Sequence, residues 1–165
     1  MSHHDLFIGW LNDAHAMELG IVQVLERHAA SAADYPQVQA GIQKHLEQTR
    51  QHAELVKGCV ERLGGDTSAM KSGMASLMGA VQGMATMVAD DDVLKNALHD
   101  YGTEHFEIAC YTSLRAAAEA TGDQQTAQVA GQILRDEQMM AEQLFQLIPT
   151  LTNDMLAKEA TATRA

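Results

Sequence analysis

Glu104 stands in the middle of a long helical pattern, Val93 to Gly122, at a position where a core helix carries an apolar side chain. Taking an unpaired carboxylate out of water costs several kcal/mol, so a chain that buries one must bring it partners. His105 and Glu107 add to that demand within the stretch Tyr101-Gly102-Thr103-Glu104-His105-Phe106-Glu107-Ile108-Ala109-Cys110-Tyr111. Other helical patterns repeat the anomaly: Glu18 falls between Ala14 and Ile21, and Glu137 between Ile133 and Met140. Other helices thus offer acids as partners for Glu104, and whether they add up to one site is the question the chain poses.

Apolar residues recur at three- and four-residue steps over four long segments, the signature of amphipathic helices. The first runs from about Asp5 to Ala29. The second runs from Pro36, which suits a first helical turn, to Leu63, where Gly64-Gly65 stops it. The third follows Asp90-Asp91-Asp92, acids suited to a helix N-terminus, and ends at Gly122. The fourth begins at Asp123 and is expected to stop at Pro149. A C-terminal tail, 151–165, follows, with a short helix expected over Asn153 to Glu159.

The connections are short, long and short. Short loops make antiparallel neighbours, and the crossover 66–90 is long enough to return the chain along a bundle. The expected fold is all-α: one domain over 1–150, a ferritin-like antiparallel four-helix bundle with one long crossover. Within the crossover, Met70, Met74, Met78, Met84 and Met87 form an uncharged Met-rich stretch, expected to be an extra helix packed on the bundle or at a subunit contact. Glycines, Ser76, Gln82 and Thr86 dilute it too far for a membrane span. A membrane-surface anchor over 72–89 is the weakest reading, because no flanking Lys or Arg supports it.

A net charge of −11, from 22 acidic and 11 basic residues, leaves no basic patch, which argues against nucleic acid and anionic membrane as partners. Two cysteines, Cys59 and Cys110, make no disulfide framework, and Met1-Ser2-His3-His4-Asp5 lacks the features of a signal peptide; a cytoplasmic protein is expected.

The inward polar set is Glu18, His45, Gln48, His52, Glu104, His105 and Glu137, with Glu107 at the edge of its stripe. Hard oxygen donors from several helices, completed by imidazoles, are what a carboxylate-bridged pair of iron or manganese ions requires. Bland readings stand beside this one. Glu18 and Glu137 could pair with Arg27, Arg115 or Arg135, and His45 and His52 could be hydrogen-bonded core residues two turns apart. The repeated Glu-x-x-His signature of such centres is absent: Arg50, Glu107 and Met140 stand three residues after Glu47, Glu104 and Glu137.

These residues resemble the YciE/YciF family of bacterial stress-associated, ferritin-like proteins. The likeness spans roughly the first 148 residues. It rests on Leu6-Phe7, Leu11-x-Asp13 and Met17-Glu18; on His45-Leu46-Glu47-Gln48-Thr49; on Glu104-His105-Phe106-Glu107-Ile108-Ala109-x-Tyr111; and on Leu134-x-Asp136-Glu137. The resemblance implies a ferritin-like bundle, a cytoplasmic homodimer and a metal site of di-iron type. Two features depart from the family pattern. Gln48 stands where the family has an inward Glu, and Met78, Gly79 and Ala80 occupy a crossover that is acidic in the family.

Two functions follow as expectations. In the first, the chain is a stress-associated protein binding one or two iron or manganese ions among Glu18, His45, Gln48, His52, Glu104, His105, Glu107 and Glu137, with oxygen or peroxide as a small-molecule oxidant and Tyr101 or Tyr111 nearby. In the second, it is a metal-free, dimeric interaction module that kept the bundle and lost the site. No residue is assigned a catalytic role.

Overall fold

The computed structural model describes residues 2–67 and 93–162. Four helices make up the bundle: α1 (His3–Ser31), α2 (Pro36–Arg62), α3 (Val93–Thr121) and α4 (Gln124–Ala162). Among the described residues there is no strand. The expected Met-rich crossover helix lies outside the described residues.

Local chemistry sets the helix ends. Ser2 and Asp5 form a reciprocal capping box at the start of α1, with both hydrogen bonds at 3.0 Å. Gly64 and Gly122 adopt φ of 77° and 78°, the left-handed conformation that closes α2 and α3. In each case the following amide reaches back to a carbonyl five residues earlier, Gly65 to Val60 and Asp123 to Ala118, both at 2.9 Å. Asp123 then caps α4 by accepting from the Thr126 amide at 3.2 Å.

Tertiary contacts fix the topology. Arg62, at the end of α2, donates to Asp123 and Thr126 at the start of α4, at 2.5 and 2.7 Å. At the opposite end, Asn96 of α3 donates to Ser31 of α1 at 2.9 Å. Each helix is therefore antiparallel to both neighbours, α1 beside α2 and α3, α4 beside α3 and α2. The connection from Arg62 to Val93 joins opposite ends of the bundle, as the long crossover requires.

The main apolar core holds Phe7, Leu11, Met17, Val56, Val60, Leu114 and Ile133, and a smaller one holds Ala32, Val93, Ala97 and Leu151. This second cluster corrects the expected end of the fourth helix. α4 passes through Pro149 and continues to Ala162. A proline inside a helix costs about 3 kcal/mol. Pro149 is exposed, while Leu147, Ile148 and Leu151, on either side of it, pack into the smaller core, and that burial offsets the cost. No described helix is long and apolar enough to cross a membrane.

Candidate metal centre

Between Ala97 and Leu114 the inward line of α3 consists of Asp100, Glu104, Glu107 and Tyr111, at steps of four, three and four. Facing these are Glu18 from α1, His45 and His52 from α2 and Glu137 from α4. Glu18 and Glu104 are 0% exposed and Glu107 1%, deeper than most of the leucines.

The side chains form two overlapping groups. Glu18, His52 and Glu137 make one, and His45, Glu104 and Glu137 the other; in each, one donor atom per residue lies within 4.8 Å of the others. Glu137 belongs to both. His45 Nε2 stands 3.3 Å from Glu104 Oε1, and His52 Nδ1 stands 2.8 Å from Glu137 Oε1. Neither approach has the alignment of a hydrogen bond. Two donors on one ion, each about 2.1 Å from it, stand roughly 3.0 to 3.4 Å apart, close to these separations. The outer nitrogen of His52, Nε2, meets Asp136 Oδ2 at 3.3 Å, the kind of carboxylate contact that orients metal-ligating imidazoles.

Five carboxylate oxygens here are buried without a hydrogen-bond partner among the described residues: Glu18 Oε2 and both oxygens of Glu104 and Glu107. Burial, with the Glu137 charge adding to it, pushes the Glu18 carboxyl up to about 8. Glu104 and Glu107 are raised well above the carboxylate range, first by burial and then by the acids around them. Tyr111 donates its hydroxyl to Glu18 Oε1, and burial together with that carboxylate raises the phenol. Burial alone would lower the His52 imidazolium, but Glu137 and Glu18 outweigh it and raise it, whereas burial lowers His45. Without cations the cluster keeps its charge down by retaining protons. Divalent ions relieve the same crowding while taking up the orphaned oxygens, so the residues present fit a metal centre.

Six of the eight expected ligands are brought together: Glu18, His45, His52, Glu104, Glu107 and Glu137. Gln48 is half-buried. His105 is exposed, its ring edge-on to Tyr101 at 4.6 Å; Tyr101 also leans on Phe145, so of the two tyrosines only Tyr111 reaches the cluster. The reason is phase. A stripe drawn through Tyr101 and Ile108 turns His105 inward, but α3 buries its acids instead, and Glu107 rather than His105 accompanies Glu104. The arginine pairings fail as well, since Arg115 binds Glu119 on the surface and Arg27 and Arg135 are exposed. Sequence reasoning missed Asp136, whose adjacency to Glu137 in the acidic motif was the available signal.

A family model described as a domain of unknown function, DUF892, matches residues 2–157. The chain belongs to the DUF892 family. Among solved structures it is similar to a protein from Xanthomonas campestris pv. campestris, at 32% identity and a TM-score of 0.81, covering 96% of this chain and 99% of that one. The Escherichia coli stress protein YciF matches at 22% identity and a TM-score of 0.74, over 93% and 98% of the two chains. A Desulfovibrio desulfuricans bacterioferritin, whose structure describes a diiron site, matches at 23% and 0.77, over 96% and 90%. These bear out the YciF-like resemblance and the ferritin-like bundle.

Proposed function

We propose that this DUF892 protein binds two iron or manganese ions in its bundle. Glu18 and His52 would hold one, His45 and Glu104 the other, and Glu137, common to both groups, would serve both. Glu107 lies among the same carboxylates as a further oxygen donor. The observation that carries the reading is the five orphaned carboxylate oxygens beside two buried imidazoles. The donor set is mostly hard oxygen with imidazole, which suits iron and manganese. The diiron site named for the bacterioferritin of the same fold supports it.

Such a pair supplies redox chemistry, suited to reducing a small oxidant such as oxygen or peroxide. The chain's own residues set the conditions. Tyr111 pins Glu18, Asp136 fixes the ring of His52, and four helices keep bulk water from the cluster. A cavity of about 440 Å³ has His45 in its wall, with exposed Asp34 and Asp154 also lining it.

Anaerobic titration of the metal-free protein with Fe(II) tests this. Saturable uptake near two ions per chain, collapsing in Glu104→Ala, is expected. The competing reading, a metal-free interaction module, draws on exposed Trp10, Phe145 and Leu156. Under it Fe(II) does not bind saturably, and Glu104→Ala changes stability alone.

A further inference from the structure

One helical turn before Glu104 on α3 lies a second polar cluster that the carboxylate centre does not use. Asp100 is buried, and His28 of α1 places Nδ1 at 2.8 Å from its Oδ1 and 3.1 Å from its Oδ2. His99 places its own Nδ1 at 3.4 Å from the same Oδ1. The imidazoles stand edge to face, 5.5 Å between centroids. His99 is 5% exposed, and its Nε2 is buried with no hydrogen-bond partner among the described residues. Burial pushes the Asp100 carboxyl up, but hydrogen bonds from His28 and His99 outweigh it and hold it below the usual range.

We infer that His28, His99 and Asp100 form a separate mononuclear site for a divalent transition-metal ion. One donor atom from each lies within 4.8 Å of the others. The separations of 2.8 and 3.4 Å around Asp100 Oδ1 are close to those of donors sharing an ion at about 2.1 Å. Two imidazoles with one carboxylate favour zinc, cobalt or ferrous iron over magnesium or calcium, which prefer all-oxygen sites. Three donors leave coordination positions open, and access exists: His28 and Asp100 line the same 440 Å³ cavity as His45, with exposed Asp34 and Asp154 among its walls. The site thus shares one solvent-facing cavity with His45.

The test uses the full chain stripped of metal and titrated with Co(II), whose visible d–d absorption reports stoichiometry and coordination. His28→Ala and the milder His28→Gln are each expected to bind one Co(II) per chain fewer than the unsubstituted protein. Glu137→Ala, which disables the carboxylate centre, is expected to retain one bound Co(II) that disappears when His28→Ala is added. Circular dichroism establishes that each variant is folded. A His28→Gln protein that is folded and binds as much Co(II) as the parent overturns the inference and makes the cluster a structural ion pair. If the Glu137→Ala protein keeps one site while the parent never exceeds one, the carboxylate centre fails and this site stands.

Discussion

Glu104 and Glu107 stand one turn apart on α3, both fully buried, and neither carboxylate accepts a hydrogen bond from the described residues. A bundle built only for stability would not keep this pair. Replacing buried polar groups by apolar ones of similar volume is often neutral or stabilising, so the pair marks a place where packing yields to chemistry.

The first prediction concerns pH. Glu18 ionises near 4.5 in an unfolded chain and at about 8 in the fold, so between those values the folded protein holds the extra proton. The contribution of Glu18 to the folding stability of the metal-free protein is then full below pH 4.5 and falls as pH rises towards 8, by about 1.4 kcal/mol per pH unit. Glu104 and Glu107 act in the same direction. Thermal unfolding of metal-free protein should show a lower Tm at pH 8 than at pH 5.5. Added Mn(II) should narrow or reverse that difference, since ions displace the protons more readily at high pH. A metal-free Tm that rises across this window contradicts the protonated cluster.

Tyr111 and Glu18 supply the second. Tyr111→Phe removes the donor to Glu18 Oε1 and leaves a further buried oxygen without a partner, in a carboxylate whose other oxygen already has none. A loss of about 1 to 3 kcal/mol in urea unfolding of the metal-free protein is expected. An unchanged midpoint and slope would mean that the hydroxyl is not engaged.

A third prediction tests the continuation of α4. Leu151 is 2% exposed and belongs to the smaller core with Val93 and Ala97. Leu151→Ala should cost about 2 to 5 kcal/mol by chemical denaturation. If the helix stopped at Pro149 and left a loose tail, the substitution would have almost no effect.

Most of the bundle was legible in the chain, because periodicity, Gly64 and Gly122 act locally and agree with the tertiary fold. The centre was legible in part. Glu18, Glu137 and His52 sit inside otherwise apolar stripes, where phase is unambiguous. On α3 the inward line from Asp100 to Tyr111 is polar, and the large side chains Tyr101 and Ile108 lie at its edges, so hydrophobicity does not mark the buried phase there. A phase drawn through them turns His105 inward and leaves Glu107 at the margin. Pro149 misled through a local rule that burial of Leu151 overrides. His28, His99 and Asp100 carry no linear signature, since α1 and α3 meet only in the folded bundle.

The central claim is that Glu137 would be a donor to both of the two proposed metal ions. Crystals grown from metal-free protein and soaked in Mn(II), with data collected above the manganese absorption edge, test it most directly. The account predicts two anomalous peaks flanking the Glu137 carboxylate, one towards Glu18 and His52 and the other towards His45 and Glu104. Absence of any peak within this cluster, at Mn(II) concentrations that saturate binding in solution, would contradict it.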